Sequence, residues 1–321
     1  MAAYCAAQNG DADHREVRGR QLTAGGASGV VVLGGSVIAE WGDPTRPEMA
    51  FSATKSVASL IAGVAFDEGL LGLDVLVGES VELPQFAAPP SDGITWRHLL
   101  EQTSGWDGRL WGKPSAADAQ SRRPGSAPVG ARPGQGWAYN DVRVNLLCLA
   151  LTALLRRSLP DVLAERVMRP MGASEGWAWH GYDDSVLRLD GCDLQVVSGG
   201  AHWGGGLWIS ALDLALIGEL YRRRGRWGDR QLISSTWIDL SWTPSVAKSD
   251  YGLLWWLNDR QTVFPTAPAT GRAARGNLGR HLLWVDPARD LVIASRWGEG
   301  VETLLRDVSA RVPCRAAGGR V

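Results

Sequence analysis

Strand-like segments stand at the two ends of this chain and helix-like segments fill its middle, an order that few architectures accommodate. Residues 28–41, SGVVVLGGSVIAEW, are two short β-branched runs joined by Gly-Gly, which is a hairpin signal. After a loop with two prolines comes SATKSVASLIAGVAFDEG. Ala53, Val57, Leu60, Ile61, Val64 and Ala65 recur there at helical spacing, and Gly69 supplies a stop. ITWRHLLEQTSG predicts a helix closed by Thr-Ser-Gly, VRVNLLCLALTALLRR a long apolar one, and SLPDVLAERVMRPMGA another, stopped by Pro170 and Gly172. ISALDLALIGELYRRRG is again helical. TWIDLSW reads as a helix start, and DYGLLWWLND, GRHLLWVDP and LVIASRW read as strands. The last two form a hairpin, Leu282–Trp297, through the turn DPARD. The simplest packing is α+β, an antiparallel sheet flanked by helices with an inserted, mostly helical region. Residues 1–70 and 200–313 would build the α/β sheet domain, residues 71–199 the helical domain, and residues 314–321 a disordered tail. The stretch Lys113–Gly136, rich in Pro, Gly, Ser and Ala, predicts a long loop of the kind that carries function.

Bulk properties narrow the function classes. At 321 residues, 45% hydrophobic and 21% charged, the chain can bury a core without staples. A formal net charge of -1, with Lys and Arg dispersed, points to no nucleic-acid partner and no anionic membrane. Cys5, Cys148, Cys192 and Cys314 lie far apart and never as C-x-x-C, and the histidines never pair at helical metal spacing, so neither a disulfide framework nor a metal is expected. The N-terminus lacks the pattern of a signal peptide, and no apolar run is long enough to span a bilayer, so a cytoplasmic location is expected. The 16 tryptophans serve aromatic packing, with some left to line a pocket.

The chemistry begins at Ser52-Ala53-Thr54-Lys55. Serine and lysine three apart at the head of a helix share one face. A serine hydroxyl is a poor nucleophile without a neighbouring base, and a lysine held against an apolar helix can be that base. The helix N-terminus favours the developing alkoxide. The pattern alone is weak, since a helix-capping serine has the same appearance. It also recurs as Ser245-Val246-Ala247-Lys248, in a turn-like context read as a decoy. Tyr139-Asn140-Asp141, at the start of the apolar helix, supplies a phenol that can share the proton work with Lys55.

With these residues in view, the chain resembles the class C β-lactamase-like serine hydrolases, which include DD-peptidases, esterases and 6-aminohexanoate-oligomer hydrolases. FSATKSVASLIAGVAFDEGLLGLDVLV, ITWRHLLEQTSG, PGQGWAYNDVRVNLLCLAL, GGGLWISALDLALIG and ARGNLGRHLLWVDPARDLVI follow one another in the family's order, over roughly residues 28–305. The second and last of these blocks look closest to the esterase and oligomer-hydrolase branch. The resemblance implies a β-lactamase/transpeptidase-like fold, with Ser52 as nucleophile, Lys55 as its proton partner and Tyr139 as general acid/base. It implies an oxyanion hole from the backbone N–H groups of Ser52 and Asn277, with Gly276 on an edge strand allowing close approach of substrate. It implies no cofactor and a small ester, amide or short peptide as substrate.

Two positions depart from the family pattern. Asp141 stands where Y-x-N would place an asparagine, and an ionised carboxylate donates no hydrogen bond to a substrate amide. Asp141 would then pair with Lys55, or Asn140 would turn inward in its place. The third motif, Ala274-Arg275-Gly276-Asn277, lacks a lysine, and Arg272, Arg275 or Arg280 would substitute, Arg275 being the substrate-binding candidate. Efficient β-lactam hydrolysis is not expected of such a site. The residues support an acyl-enzyme hydrolase, and leave open an acyltransferase using the same intermediate and a non-catalytic ligand-binding or sensor protein on the same fold.

Overall fold

A computed structural model describes residues 25–115, 126–127, 131–200 and 206–314. Its centre is a six-stranded sheet of Ser28–Leu33 (β1), Ser36–Trp41 (β2), Trp256–Leu257 (β3), Arg272–Gly276 (β4), His281–Asp286 (β5) and Leu291–Arg296 (β6). The spatial order is β3-β4-β5-β6-β1-β2, and every neighbouring pair is antiparallel. Chain ends distant in sequence therefore meet at the β6–β1 pair, where Val31 faces Ile293 across the ladder. The sheet of the β-lactamase/transpeptidase-like α+β fold is thus closed by the two segments that read as strands at either end.

The β5 and β6 sequences carry runs of apolar residues, Leu282–Val285 and Leu291–Ala294, and every residue of both strands is buried. A strand with no polar face must be covered on both sides. Val30, Val32, Leu283, Val285, Val292 and Ala294 point into the main core. There they meet Ala211–Arg222 (α3), whose Gly218 lies so close that a Cβ would stand 2.6 Å from Val292 Cγ1. The alternate residues Val31, Leu282, Trp284, Leu291 and Ile293 face the other way, onto Val301 and Leu305 of the C-terminal helix Val301–Arg311 (α4). The sequence reading did not anticipate α4, although Val301 and Leu305 stand one helical turn apart.

Two buried helices carry the site. Thr54–Asp67 (α1) is buried from Thr54 to Ala65, and Asp141–Leu155 (α2) from Asp141 to Thr152. A helix that is apolar all round can only be central, and α2 packs against α1 inside the main core. Gly69 with φ +73° lies just past α1, and Arg156 with φ +53° ends α2.

One helix is shorter than its apolar pattern predicts. The helix expected over ITWRHLLEQTSG covers only Trp96–Leu100, capped by Thr95 accepting from His98 N, because Gln102 turns left-handed at φ +61°. The helix expected over SLPDVLAERVMRPMGA runs without a break from Leu159 to Met171, with a wide-turned segment Ala164–Met168 inside it, and Gly172 at φ +73° ends it as expected. Pro170 lacks an N–H and its ring crowds the carbonyl one turn back, so the preceding turn opens. DYGLLWWLND yields only the two-residue β3. The expected long loop begins with a two-stranded ribbon, Arg109–Leu110 with Lys113–Pro114, while its residues 116–125 and 128–130 lie outside the described residues, as does the tail from residue 315.

Candidate active site

Ser52 sits in a short turn, Phe51–Ala53, that runs directly into α1. Phe51 enters this turn with φ +51°, a conformation that side chains bearing a Cβ avoid. Its ring is held in place by His281, with centroids 4.5 Å apart, and edge-on by Trp297 at 5.6 Å. Aromatic packing at the base of the turn thus offsets the local strain and sets the direction in which Ser52 leaves it. The Ser52 hydroxyl caps no helix. It accepts a hydrogen bond from Lys55 Nζ at 3.1 Å, one turn along the same face.

Lys55 Nζ also contacts Asp141 Oδ1 in a buried ion pair, with both side chains 2% exposed, and lies 4.9 Å from the centroid of the Tyr139 ring. Ser52 itself remains half-buried. The pair joins α1 to the first turn of α2, where a carboxylate is favoured by the helix N-terminus. Asp141, expected among the substrate-binding residues, therefore lies against Lys55, one of the two arrangements the sequence left open. Asn140 is the N-cap of α2, its Oδ1 accepting from Arg143 N at 3.0 Å and its Nδ2 donating to Ser115 O at 2.9 Å.

The approach of Tyr139 is fixed from the turn after the Trp96–Leu100 helix. Ala138 N donates to Gln102 O at 3.0 Å and Asn140 N donates to Gln102 Oε1 at 3.1 Å, so Gln102 grips the backbone on both sides of Tyr139. The phenol ring stacks on Trp256 at 5.7 Å and lies in a cluster with Trp137 and Tyr251. Burial pushes the Tyr251 hydroxyl well above the ordinary tyrosine range.

The end of β4 closes the other side. A Cβ on Gly276 would stand 2.4 Å from Ala50 O and 3.1 Å from Ser52 N, so only glycine brings this strand against the nucleophile's backbone. Asn277 follows with φ +48°. The strand expected at the sheet edge is in fact second from it. However, β3 pairs only with Arg272 and Ala273, so beyond Ala273 no described strand continues on that side of β4. Arg275 lies 5.2 Å from the Trp256 ring and 4.7 Å from the Phe264 ring, one aromatic away from Tyr139. Arg272 instead binds Asp259 at 2.8 Å. The second S-x-x-K does not converge. Ser245 Oγ donates to Glu101 at 2.5 Å and Lys248 pairs with Asp250 at 2.5 Å.

Three contributors were not read from the sequence. A Cβ on Gly200 would stand 2.4 Å from Lys55 Nζ and 2.9 Å from Asp141 Oδ1, so this backbone forms a wall of the ion pair. Asn145, one turn after Asp141, accepts from Gly199 N at 2.9 Å, and Ser198 Oγ donates to Gly200 O at 2.7 Å. An amide inside the run RVNLLCLAL, four residues from Asp141 on the same helical face, was the available signal. Next to it, burial raises the Cys148 thiol to about 12, which keeps it a protonated core residue.

A sequence model of the Beta-lactamase family matches residues 14–295, most of the chain. The chain belongs to the beta-lactamase family. A curated relative from Escherichia coli O157:H7, named "Putative D-alanyl-D-alanine carboxypeptidase", is 23% identical over 276 residues, covering 70% of this chain and 62% of the relative. The chain thus spans less than two thirds of that protein's length. Among solved structures, a "Putative 6-aminohexanoate-dimer hydrolase" from Bacillus anthracis has a TM-score of 0.59 at 17% identity, covering 88% of this chain and 77% of that one. EstCE1, described as a hydrolase with promiscuous acyltransferase activity, has a TM-score of 0.60 at 18% identity, covering 88% of this chain and 92% of that one. These likenesses share the fold, and the family is one of hydrolases. Among the described residues no helix is long and apolar enough to cross a membrane.

Proposed function

We propose that this member of the beta-lactamase family is a serine hydrolase that cleaves a small ester or amide through an acyl-enzyme on Ser52. The observation that carries the reading is the hydrogen bond from Lys55 Nζ to Ser52 Oγ at 3.1 Å, at the half-buried head of a buried helix. In the proposed reaction Ser52 Oγ bonds to the carbonyl carbon as its proton leaves toward Lys55 and Tyr139. The carbonyl oxygen takes negative charge and rests on the backbone N–H groups of Ser52 and Asn277, each donor being worth roughly 10²–10³ in rate. The same two side chains return the proton to the leaving alcohol or amine, and water then releases the acid. Gly276 and Arg275 would meet the substrate along β4, Arg275 facing any anionic group. The substrate is a small molecule in the cytoplasm, and neither nucleic acid nor membrane takes part.

An acyltransferase reading, in which an amine or alcohol replaces water, is favoured by the acyl transfer described for EstCE1. Both readings share the acyl-enzyme, and a non-catalytic sensor does not turn it over. A panel of p-nitrophenyl esters, simple amides, D-amino-acid peptides and β-lactams, with and without acceptor amines, tests all three. Turnover of at least one ester by the wild type, lost by more than a thousandfold in Ser52→Ala, is expected. An unaffected Ser52→Ala rate would refute the assignment.

A further inference from the structure

A lysine that already holds its full complement of protons cannot take another from a serine. Lys55, whose Nζ donates to Ser52 Oγ and contacts Asp141 Oδ1 in a buried ion pair, is placed as an ammonium beside a carboxylate. The helix N-terminus behind Asp141 favours the ionised carboxylate at rest. Burial works in the opposite sense, because two adjacent charges removed from water gain by neutralising each other through transfer of one proton. Asp141 is thus an acceptor placed where the amine must discharge before it can act on Ser52, and an amide at that position cannot take a proton.

We propose that Asp141 is the terminal proton acceptor of a Ser52–Lys55–Asp141 relay; this rests on Ser52 being the nucleophile. As Ser52 Oγ bonds to the carbonyl carbon, the π-electron pair of the carbonyl moves to its oxygen. The Oγ proton passes to Lys55 Nζ while Lys55 passes one of its protons to Asp141 Oδ1. Lys55 ends as an ammonium beside the new ester oxygen, and Asp141 ends as a neutral acid. When the tetrahedral centre collapses, the proton returns from Asp141 through Lys55 and reaches the leaving group. No outside reactant is needed.

The other groups near the pair leave it free to work this way. Tyr182, Tyr251 and Cys148 are held protonated by burial through the neutral range. Lys113 lies 4.2 Å from the centroid of Tyr182 and donates to Trp111 O. The Tyr139 ring lies 4.9 Å from Lys55 Nζ. The Gly200 backbone lies against the pair.

The test uses the full chain, p-nitrophenyl butyrate as probe, and wild type, Asp141→Asn and Asp141→Glu. Asp141→Asn keeps the shape and a hydrogen-bond acceptor for Lys55 but cannot be protonated. It is expected to lose about 100-fold in kcat with KM within threefold. Asp141→Glu should recover at least tenfold of that loss. Rates in mixtures of light and heavy water should show a curved, two-proton dependence in the wild type that becomes linear in Asp141→Asn. If Asp141→Asn does not fold, the wild-type dependence decides, and a linear one overturns the relay. A kcat for Asp141→Asn within threefold of wild type, with an unchanged pH profile, also overturns it. Turnover that survives Ser52→Ala is a different result, because it removes the nucleophile and not the relay alone.

Discussion

Removing one member of a buried charge pair strands the other, which is why the Lys55–Asp141 contact can be tested by stability as well as by rate. Both side chains are almost fully enclosed. Asp141→Ala leaves an ammonium with its closest carboxylate gone, and is expected to lower the folding free energy by about 3–5 kcal/mol in urea denaturation. A loss below about 1 kcal/mol would mean that water reaches Lys55 freely. Ser52 and Lys55 were legible in the sequence because three residues of helix place both on one face whatever the rest of the chain does. Tyr139 was singled out as a phenol at the head of the apolar helix, but its nearness to Lys55 is long-range and rested on the family resemblance, since nothing local brings residue 139 to residue 55. The pairing of Asp141 with Lys55 was one of two arrangements the sequence left open, and it is the one the structure holds, since only the folded chain brings residue 141 to residue 55. Gly200 was illegible because its importance exists only where the segment after Ser198 meets two other parts of the chain.

At the scale of elements, the site depends on how closely β4 and the segment ending at Gly200 approach α1. The two glycines involved should fail differently. At Gly200 the added methyl meets the far end of Lys55, which can move, so Gly200→Ala is expected to keep the fold and lose about 10- to 100-fold in kcat through a displaced ammonium. At Gly276 the methyl meets the Ala50 carbonyl and the Phe51 Cβ, which cannot move without opening the turn. Gly276→Ala should therefore lower the thermal midpoint as well as kcat. Equal and small effects at both positions, measured by thermal melts and ester turnover, would contradict the close approach. The elements were legible where periodicity alone decides them, as in the Gly-Gly hairpin, α1 and α2. They were misread where a tertiary demand overrides local preference. Gln102 leaves the helical conformation to grip the Tyr139 segment.

Across the whole molecule, the sheet and the helical region share one core, and α1 lies at their junction with the site at its head. His281 ties that junction to pH. It is fully buried between Phe51 and Trp297, and burial, helped by Arg296 and Arg280, holds its pKa well below the ordinary histidine value. The unfolded chain therefore takes up a proton near pH 6.5 that the folded chain refuses. Stability from this group is present above that pH and falls as pH drops below it, by about 1.4 kcal/mol for each unit until the folded histidine itself is protonated. His281→Phe removes the difference. Urea melts of both proteins at pH 7 and pH 5 should show the wild type losing more stability than the variant by about that slope, and parallel losses would show that His281 is not shielded.

The account rests on Ser52 as the atom that becomes acylated, and active-site labelling examines this directly. Wild type and Ser52→Ala treated with a fluorophosphonate, digested and mapped by mass spectrometry, should give a single adduct on the peptide containing Ser52, and none in the variant. An adduct on Ser245 or any other residue, or one that persists in Ser52→Ala, would contradict it.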